Sequence, residues 1–333
     1  MRPLAWRGEE LAAHPPATRA LRPEERAEVA ALCAWLAPRR PAGAELYELL
    51  TSPEAPPTPH LRALAAALSA ELRGGWGVAL LTGLVEPSPQ TPASRALDSL
   101  GDTSGDTSGD DLPIRVLFLR LGALLGPVIT TYGHLYEVRD GGGSYQERAI
   151  PVSQTRAQTG MHTDSSGRGV WPELVGLACV RPALNGGASR LSSAAYAHEL
   201  LRAAHPALLP LLYEDFIRDI VTPGASRDPE RVRENRFPIF TREPFGVRYM
   251  RYWIERGHER AGEPLSAERL GALDALDAAL GAPEALHRFM MRRGELLFLN
   301  NRLVVHDREE YEGCEDPARG RLMLRLWIGE EGA

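Results

Sequence analysis

The chain contains no lysine: all 38 basic residues among its 333 are arginine. That excludes Schiff-base chemistry on a lysine amine, and with it pyridoxal-phosphate enzymes and lysine-dependent aldolases. It also excludes the usual phosphate-binding P-loop, whose lysine is missing. Cysteine is scarce. Cys33, Cys179 and Cys314 are far apart, odd in number and form no CxxC pair, so neither a disulfide framework nor a cysteine-based zinc site is expected. No apolar run approaches the length of a membrane span, so no membrane partner is expected. The first residues lack a long apolar core and a cleavage site, so no signal peptide is read and a cytoplasmic location is expected. Positive charge is not in excess: the net charge is −6, which argues against a nucleic-acid partner. No GxGxxG follows a strand and no alternating strand–helix rhythm is visible, so a dinucleotide-binding fold is disfavoured.

What is present is an ordinary globular composition, 44% hydrophobic and 25% charged, long enough to bury a core without staples. Residues 1–75 read as an N-terminal helical extension packed on the core, with helices over 22–36 and 60–72. Residues 76–333 read as one β-rich domain. It carries a mobile loop of small polar residues at 101–111 and a helical insertion near 266–287, where Ser266 is a plausible N-cap. Strands are predicted over 76–84, 129–138, 160–164, 175–181, 189–192, 237–240, 247–252, 295–299 and 321–328, with further helices over 113–125 and 194–204. Many short strands with Gly- and Pro-rich turns predict a mixed α/β, β-rich fold: a double-stranded β-helix (jelly roll) core with peripheral helices.

The most informative segment is His162-Thr163-Asp164. Side chains alternate along an extended chain, so His162 and Asp164 point to one side. Two histidines and one carboxylate on one face, with open positions opposite, form the facial triad of non-haem Fe(II) oxygenases. His306, after the apolar strand over 295–299, is the best candidate for the second histidine. Farther on, Arg321, Met323 and Arg325 alternate with Leu322, Leu324 and Leu326. Arginines on one face of an apolar strand require anionic partners, and a carboxylate suits the guanidinium fork. Taken singly, each feature has an ordinary structural explanation; their order along the chain points to a metal site. Asn301, Ser165, Tyr249 and Arg251 are further candidates for substrate contact, each with core packing, surface pairing or plain loop structure as the alternative. His258 and His287 lie outside the pattern and read as structural.

At these residues the chain resembles the taurine dioxygenase and clavaminate synthase-like family of Fe(II)- and 2-oxoglutarate-dependent oxygenases. The matching stretches are HTDSSGRGVWPELVGLACVRPALNGGASRLSS, NNRLVVHDREEYEG and RGRLMLRLWI, with GWGVALLTGL as an early strand. The resemblance implies Fe(II), 2-oxoglutarate and O2 as cofactor and co-substrates. It implies His162, Asp164 and His306 as metal ligands, and Arg321 with Ser189 on the distal carboxylate of 2-oxoglutarate. It implies Arg325 on an anionic group of the substrate. Family halogenases replace the carboxylate ligand with a small residue; Asp164 is present, so hydroxylation is the expected outcome. The expected substrate is a small polar molecule, carrying a carboxylate and derived from an amino acid, in specialised metabolism. Desaturation or ring closure, a zinc hydrolase, and a non-catalytic jelly-roll binding protein are the alternatives.

Overall fold

The protein is described by a computed structural model covering residues 5–14, 17–85, 111–142, 152–165, 167–220, 226–314, 316 and 318–329. The loop expected over 101–111 lies outside the described residues except for Asp111. The helices are α1 (Gly8–Ala13), α2 (Pro23–Leu36), α3 (Ala44–Thr51), α4 (Pro59–Gly74), α5 (Leu112–Leu125), α6 (Ala194–Ala204), α7 (Pro229–Glu234), α8 (Arg251–Ala261) and α9 (Ala267–Leu280). The strands are β1 (Thr18–Ala20), β2 (Val78–Thr82), β3 (Val128–Ile129), β4 (Tyr136–Val138), β5 (Leu174–Arg181), β6 (Ser189–Ser193) and β7 (Asp215–Ile217). They continue with β8 (Arg236–Pro238), β9 (Phe240–Arg242), β10 (Phe245–Val247), β11 (Leu286–Phe289), β12 (Leu296–Asn300), β13 (Val304–Arg308) and β14 (Leu322–Ile328). No helix among the described residues is long and apolar enough to cross a membrane.

Two sheets carry the architecture. The larger has seven strands in the order β1-β2-β12-β5-β14-β3, with β4 also paired to β14; the smaller is β11-β6-β13. Strand alternation sorts the side chains into layers. On β14, Leu322, Leu324, Leu326 and Ile328 join Leu296 and Phe298 of β12 in a cluster with α2, α3, α4 and α5. The opposite faces send Met323, Cys179, Leu297 and Leu299 into a second cluster, which also takes Leu191 of β6 and Val304 of β13. The inner faces of the two sheets therefore share one core. The outer face of the small sheet, at Val305, packs with α6 and α9. Each fully buried leucine in these layers contributes about 1.5–3 kcal/mol.

Local chemistry explains the boundaries. Ser266 caps α9 by accepting the Arg269 N–H, and Ser193 caps α6 by accepting that of Tyr196. Gly176 lets α5 approach the large sheet: a Cβ there would lie 2.8 Å from Phe118 Cε2. The N-terminal extension is not purely helical, because β1 pairs in parallel with β2 and forms the sheet edge.

Four predicted strands are corrected. The stretch 129–138 breaks into β3 and β4, because Gly133 turns the chain at φ +82°. Residues 160–164 form no continuous strand; His162 makes isolated bridges to His306 and Met250. The stretch 237–240 is shared between β8 and β9, because the Ile239 N–H leaves the ladder and donates to the Leu212 carbonyl. The stretch 247–252 ends β10 at Val247 and starts α8 at Arg251. There Trp253, Ile254, Gly257, His258 and Ala261 are buried at helical spacing, and that pattern outweighs the β-formers at 249–253.

Candidate active site

The candidate site is built where the HTD segment inserts beside β13. His162 N–H donates to the His306 carbonyl and His306 N–H to the His162 carbonyl, both at 2.9 Å. On the other side, Thr163 N–H donates to the Tyr249 carbonyl at 2.7 Å, and Tyr249 N–H donates to Thr163 Oγ1 at 2.9 Å. The extended backbone then turns His162 and Asp164 to the same side. Asn301 fixes the end of the segment: its Oδ1 accepts the Asp164 N–H at 2.8 Å, and its Nδ2 donates to the carbonyls of Asp164 and Pro172.

One ligand atom from each of His162, Asp164 and His306 lies within 4.8 Å of the others. Asp164 Oδ1 is 3.7 Å from His162 Nε2 and 3.8 Å from His306 Nε2. His162 Nδ1 donates to the Gly160 carbonyl at 2.8 Å, so its Nε2 carries the free lone pair. Asp164 is 4% exposed. Burial alone would raise its carboxyl group, but Arg325, the two imidazoles and the Trp327 N–H hold it below the usual carboxylate range. Burial, with His162 beside it, pushes the His306 imidazole down to about 3, so it is neutral and available as a donor to a metal. Two imidazoles and one carboxylate, on one side and close together, suit a divalent transition metal with open positions opposite.

The arginine strand meets this site from β14. Arg325 NH1 lies 3.3 Å from Asp164 Oδ2, and its guanidinium packs over the rings of Tyr136, Trp327 and Tyr132 at 4.8, 4.9 and 5.8 Å. Arg321, just before β14, lies over the Tyr311 ring, 5.3 Å from its centroid. Its Nε is 3.8 Å from the position a Cβ on Gly187 would take, which sets the Gly186-Gly187 turn against it. Ser189 opens β6 two residues later, paired with Arg308.

Four other candidates land differently. Asn301 is fully buried and its amide is engaged by the backbone of Asp164 and Pro172, so it fixes the HTD segment. Tyr249 is 1% exposed and its hydroxyl donates to Asp277 of α9. Arg251 is the first residue of α8, not a strand neighbour of Tyr249, and pairs with Glu255, Asp274 and Asp277. Ser165 directs its hydroxyl to the Val170 carbonyl at 2.6 Å, closing its own loop.

Three residues at the site escape a reading of the sequence. Trp327 donates its indole N–H to Asp164 Oδ2 at 2.5 Å; its place two residues after Arg325 on the same strand face is the signal that could have found it. Tyr311 has no such signal, because it lies beyond β13. Asp307 is held by Arg190, Thr159 and Gln158 and braces the strand next to His306.

Two imidazoles and a buried carboxylate, brought together between two sheets, form a candidate facial-triad metal site in a β-rich protein. The model of the taurine catabolism dioxygenase TauD, TfdA family matches residues 45–327, and the chain belongs to that family. It is 26% identical over 218 residues to FR-33289 synthase of Streptomyces rubellomurinus (strain ATCC 31215), covering 63% of this chain and 62% of the relative. It is 30% identical over 180 residues to uridine-5'-phosphate dioxygenase of Streptomyces sp, covering 53% of this chain and 63% of the relative. The chain thus spans somewhat under two thirds of the length of these curated relatives. Among solved structures, the non-heme iron oxygenase OrfP in complex with Fe, succinate and (3R,4R)-dihydroxy-L-Arg superposes with a TM-score of 0.62. The identity is 17%, and each chain is covered to 94%, which establishes likeness of fold.

Proposed function

We propose that this protein is an Fe(II)- and 2-oxoglutarate-dependent dioxygenase that hydroxylates an unactivated C–H bond of a small, anionic, amino-acid-derived substrate. The observation that carries the reading is the convergence of His162 Nε2, His306 Nε2 and Asp164 Oδ1, with Arg325 of β14 against Asp164 and Arg321 just before that strand. The two layered sheets are read as a double-stranded β-helix, with residues 1–75 bracing its outer face and the 266–287 region elaborating it. The iron, with 2-oxoglutarate and O2, supplies C–H oxidation coupled to decarboxylation of 2-oxoglutarate to succinate.

The chain's own residues bind and orient. His162, Asp164 and His306 hold the metal. Arg321 and Ser189 hold the distal carboxylate of 2-oxoglutarate, and packing over the Tyr311 ring keeps the Arg321 guanidinium in place. Arg325, boxed by three rings, offers a fixed cation to an anionic group of the substrate. The apolar cluster of Leu191, Met323 and Val304 lines the space between the sheets and limits water there. The relative acting on uridine 5'-phosphate and the neighbour holding a hydroxylated arginine both support a polar, charged substrate. The three cysteines form no disulfide, which suits a reducing, cytoplasmic setting.

The test is anaerobic addition of Fe(II) and 2-oxoglutarate, followed by visible absorption. A weak charge-transfer band is expected in the wild type and not in His162→Ala, and succinate release then serves to screen anionic substrates. A folded, iron-loaded wild type without the band overturns the reading.

A further inference from the structure

The two carboxylate oxygens of Asp164 have different surroundings. Oδ1 faces both histidine Nε2 atoms, at 3.7 and 3.8 Å. Oδ2 accepts the Trp327 indole N–H at 2.5 Å and faces Arg325 NH1 at 3.3 Å. A carboxylate with both oxygens free can grip a metal through both; one with an oxygen already hydrogen-bonded presents the other. A second Asp164 oxygen on the metal would occupy a position that a facial triad otherwise leaves open.

We propose that Trp327 is a positioning residue that holds Asp164 to single-oxygen coordination and thereby sets metal affinity and the room left for 2-oxoglutarate. This rests on the metal assignment made above. The indole is well placed for the role. Trp327 is 7% exposed, clusters with Ile129 and Val175, and meets the Tyr132 ring edge-on at 5.1 Å. Its β14 register is fixed on both sides, opposite Ile129 and opposite Val175. The ring therefore has no room to swing, and its N–H stays on Oδ2. Arg325 also faces Oδ2, but it is the residue assigned to the substrate anion. When that anion engages Arg325, the neutral Trp327 N–H is the donor that remains committed to Asp164. Trp171 provides a matched comparison, because its Nε1 is buried and has no hydrogen-bond partner among the described residues.

The experiment titrates metal-free protein with Co(II) anaerobically, without 2-oxoglutarate, and follows the visible d–d bands and the heat of binding. 2-Oxoglutarate is then added to the loaded protein. Trp327→Phe is expected to weaken Co(II) binding about 10–100-fold, to shift the bands, and to weaken the binding of 2-oxoglutarate that follows. Trp171→Phe is expected to change none of these. If Trp327→Phe does not fold, 3-benzothienylalanine at position 327 keeps the ring shape and removes only the N–H, with the same expected loss. Unchanged Co(II) affinity and bands in a folded protein lacking the N–H overturn the proposal, as does an equal loss in Trp171→Phe. A wild type that binds no Co(II) overturns the metal assignment along with it. A wild type that binds and loses binding in His162→Ala, while Trp327→Phe binds equally well, overturns this proposal alone.

Discussion

Arg218 and Arg325 are both arginines inside a protein that has no lysine, and their surroundings differ in kind. Arg218 is 1% exposed and donates to the carbonyls of Phe216, Phe237, Pro238 and Arg248. Its guanidinium stacks on Phe237, and Arg248 stacks on the same ring. Arg248 in turn donates to the carbonyls of Gly167 and Val170 and so ties down the loop that follows Asp164. Burial pulls both guanidinium groups down, Arg218 well below its ordinary value and Arg248 to about 9. Arg325 instead stands against a carboxylate that is also a metal-ligand candidate. Carbonyls and rings satisfy a buried cation without adding a negative charge. The scaffold arginines are therefore structural ties between loops, while Arg325 is electrostatically part of the site.

The difference can be tested from both ends. Arg218→Met is expected to destabilise the fold by about 3–5 kcal/mol, because four carbonyls lose their donor in a dry environment. Urea unfolding of the metal-free protein measures this, and Co(II) affinity should be unchanged in the folded fraction; a loss below about 1 kcal/mol would show that the carbonyls find other donors. Arg325→Met is expected to reverse the pattern. The KM of the anionic substrate found by the succinate screen should rise about tenfold or more, while unfolding of the metal-loaded protein shifts little. An unchanged KM would remove Arg325 from substrate binding.

The smallest effect concerns His258, a buried group in the scaffold half. Its Nε2 accepts the Ile217 N–H and its Nδ1 donates to the Glu263 carbonyl, so the ring must be neutral. Burial lowers its folded pKa, with Arg269 and Arg236 reinforcing and Glu263 opposing. The unfolded chain therefore binds the proton more readily. The stabilisation is complete above the usual imidazole range and is lost as the pH falls below it. Urea midpoints from pH 8 to pH 5 should fall more steeply in the wild type than in His258→Gln. Parallel curves would mean that His258 does not carry the dependence.

Much of this molecule is legible in its sequence. The alternation Arg321-Leu322-Met323-Leu324-Arg325-Leu326 assigns each β14 side chain to a layer, and the structure puts the leucines against α5 and Met323 between the sheets. Ser266 marks a helix start because a hydroxyl can cap a free N–H, and it caps α9. The candidate ligand trio, which the structure brings together, is legible from the HxD spacing and the apolar strands that lead to His306. Tyr249 and Arg251 are not, because β-forming residues at 249–253 suggest a strand while tertiary burial of Trp253, Ile254 and His258 makes a helix.

The amino-acid order by itself determined the layering, the Ser266 helix cap and which residues could hold a metal, since those depend on local periodicity and side-chain chemistry. Tertiary structure decided which oxygen of Asp164 faces the histidines, that Asn301 serves the ligand backbone, and that Trp327 stands behind the carboxylate. The contacts of Asn301 and Trp327 with Asp164 join residues 137 and 163 positions apart. No local pattern encodes a contact across that separation. It exists only once β14, β12 and the HTD segment are packed together and a buried carboxylate has to find its donors.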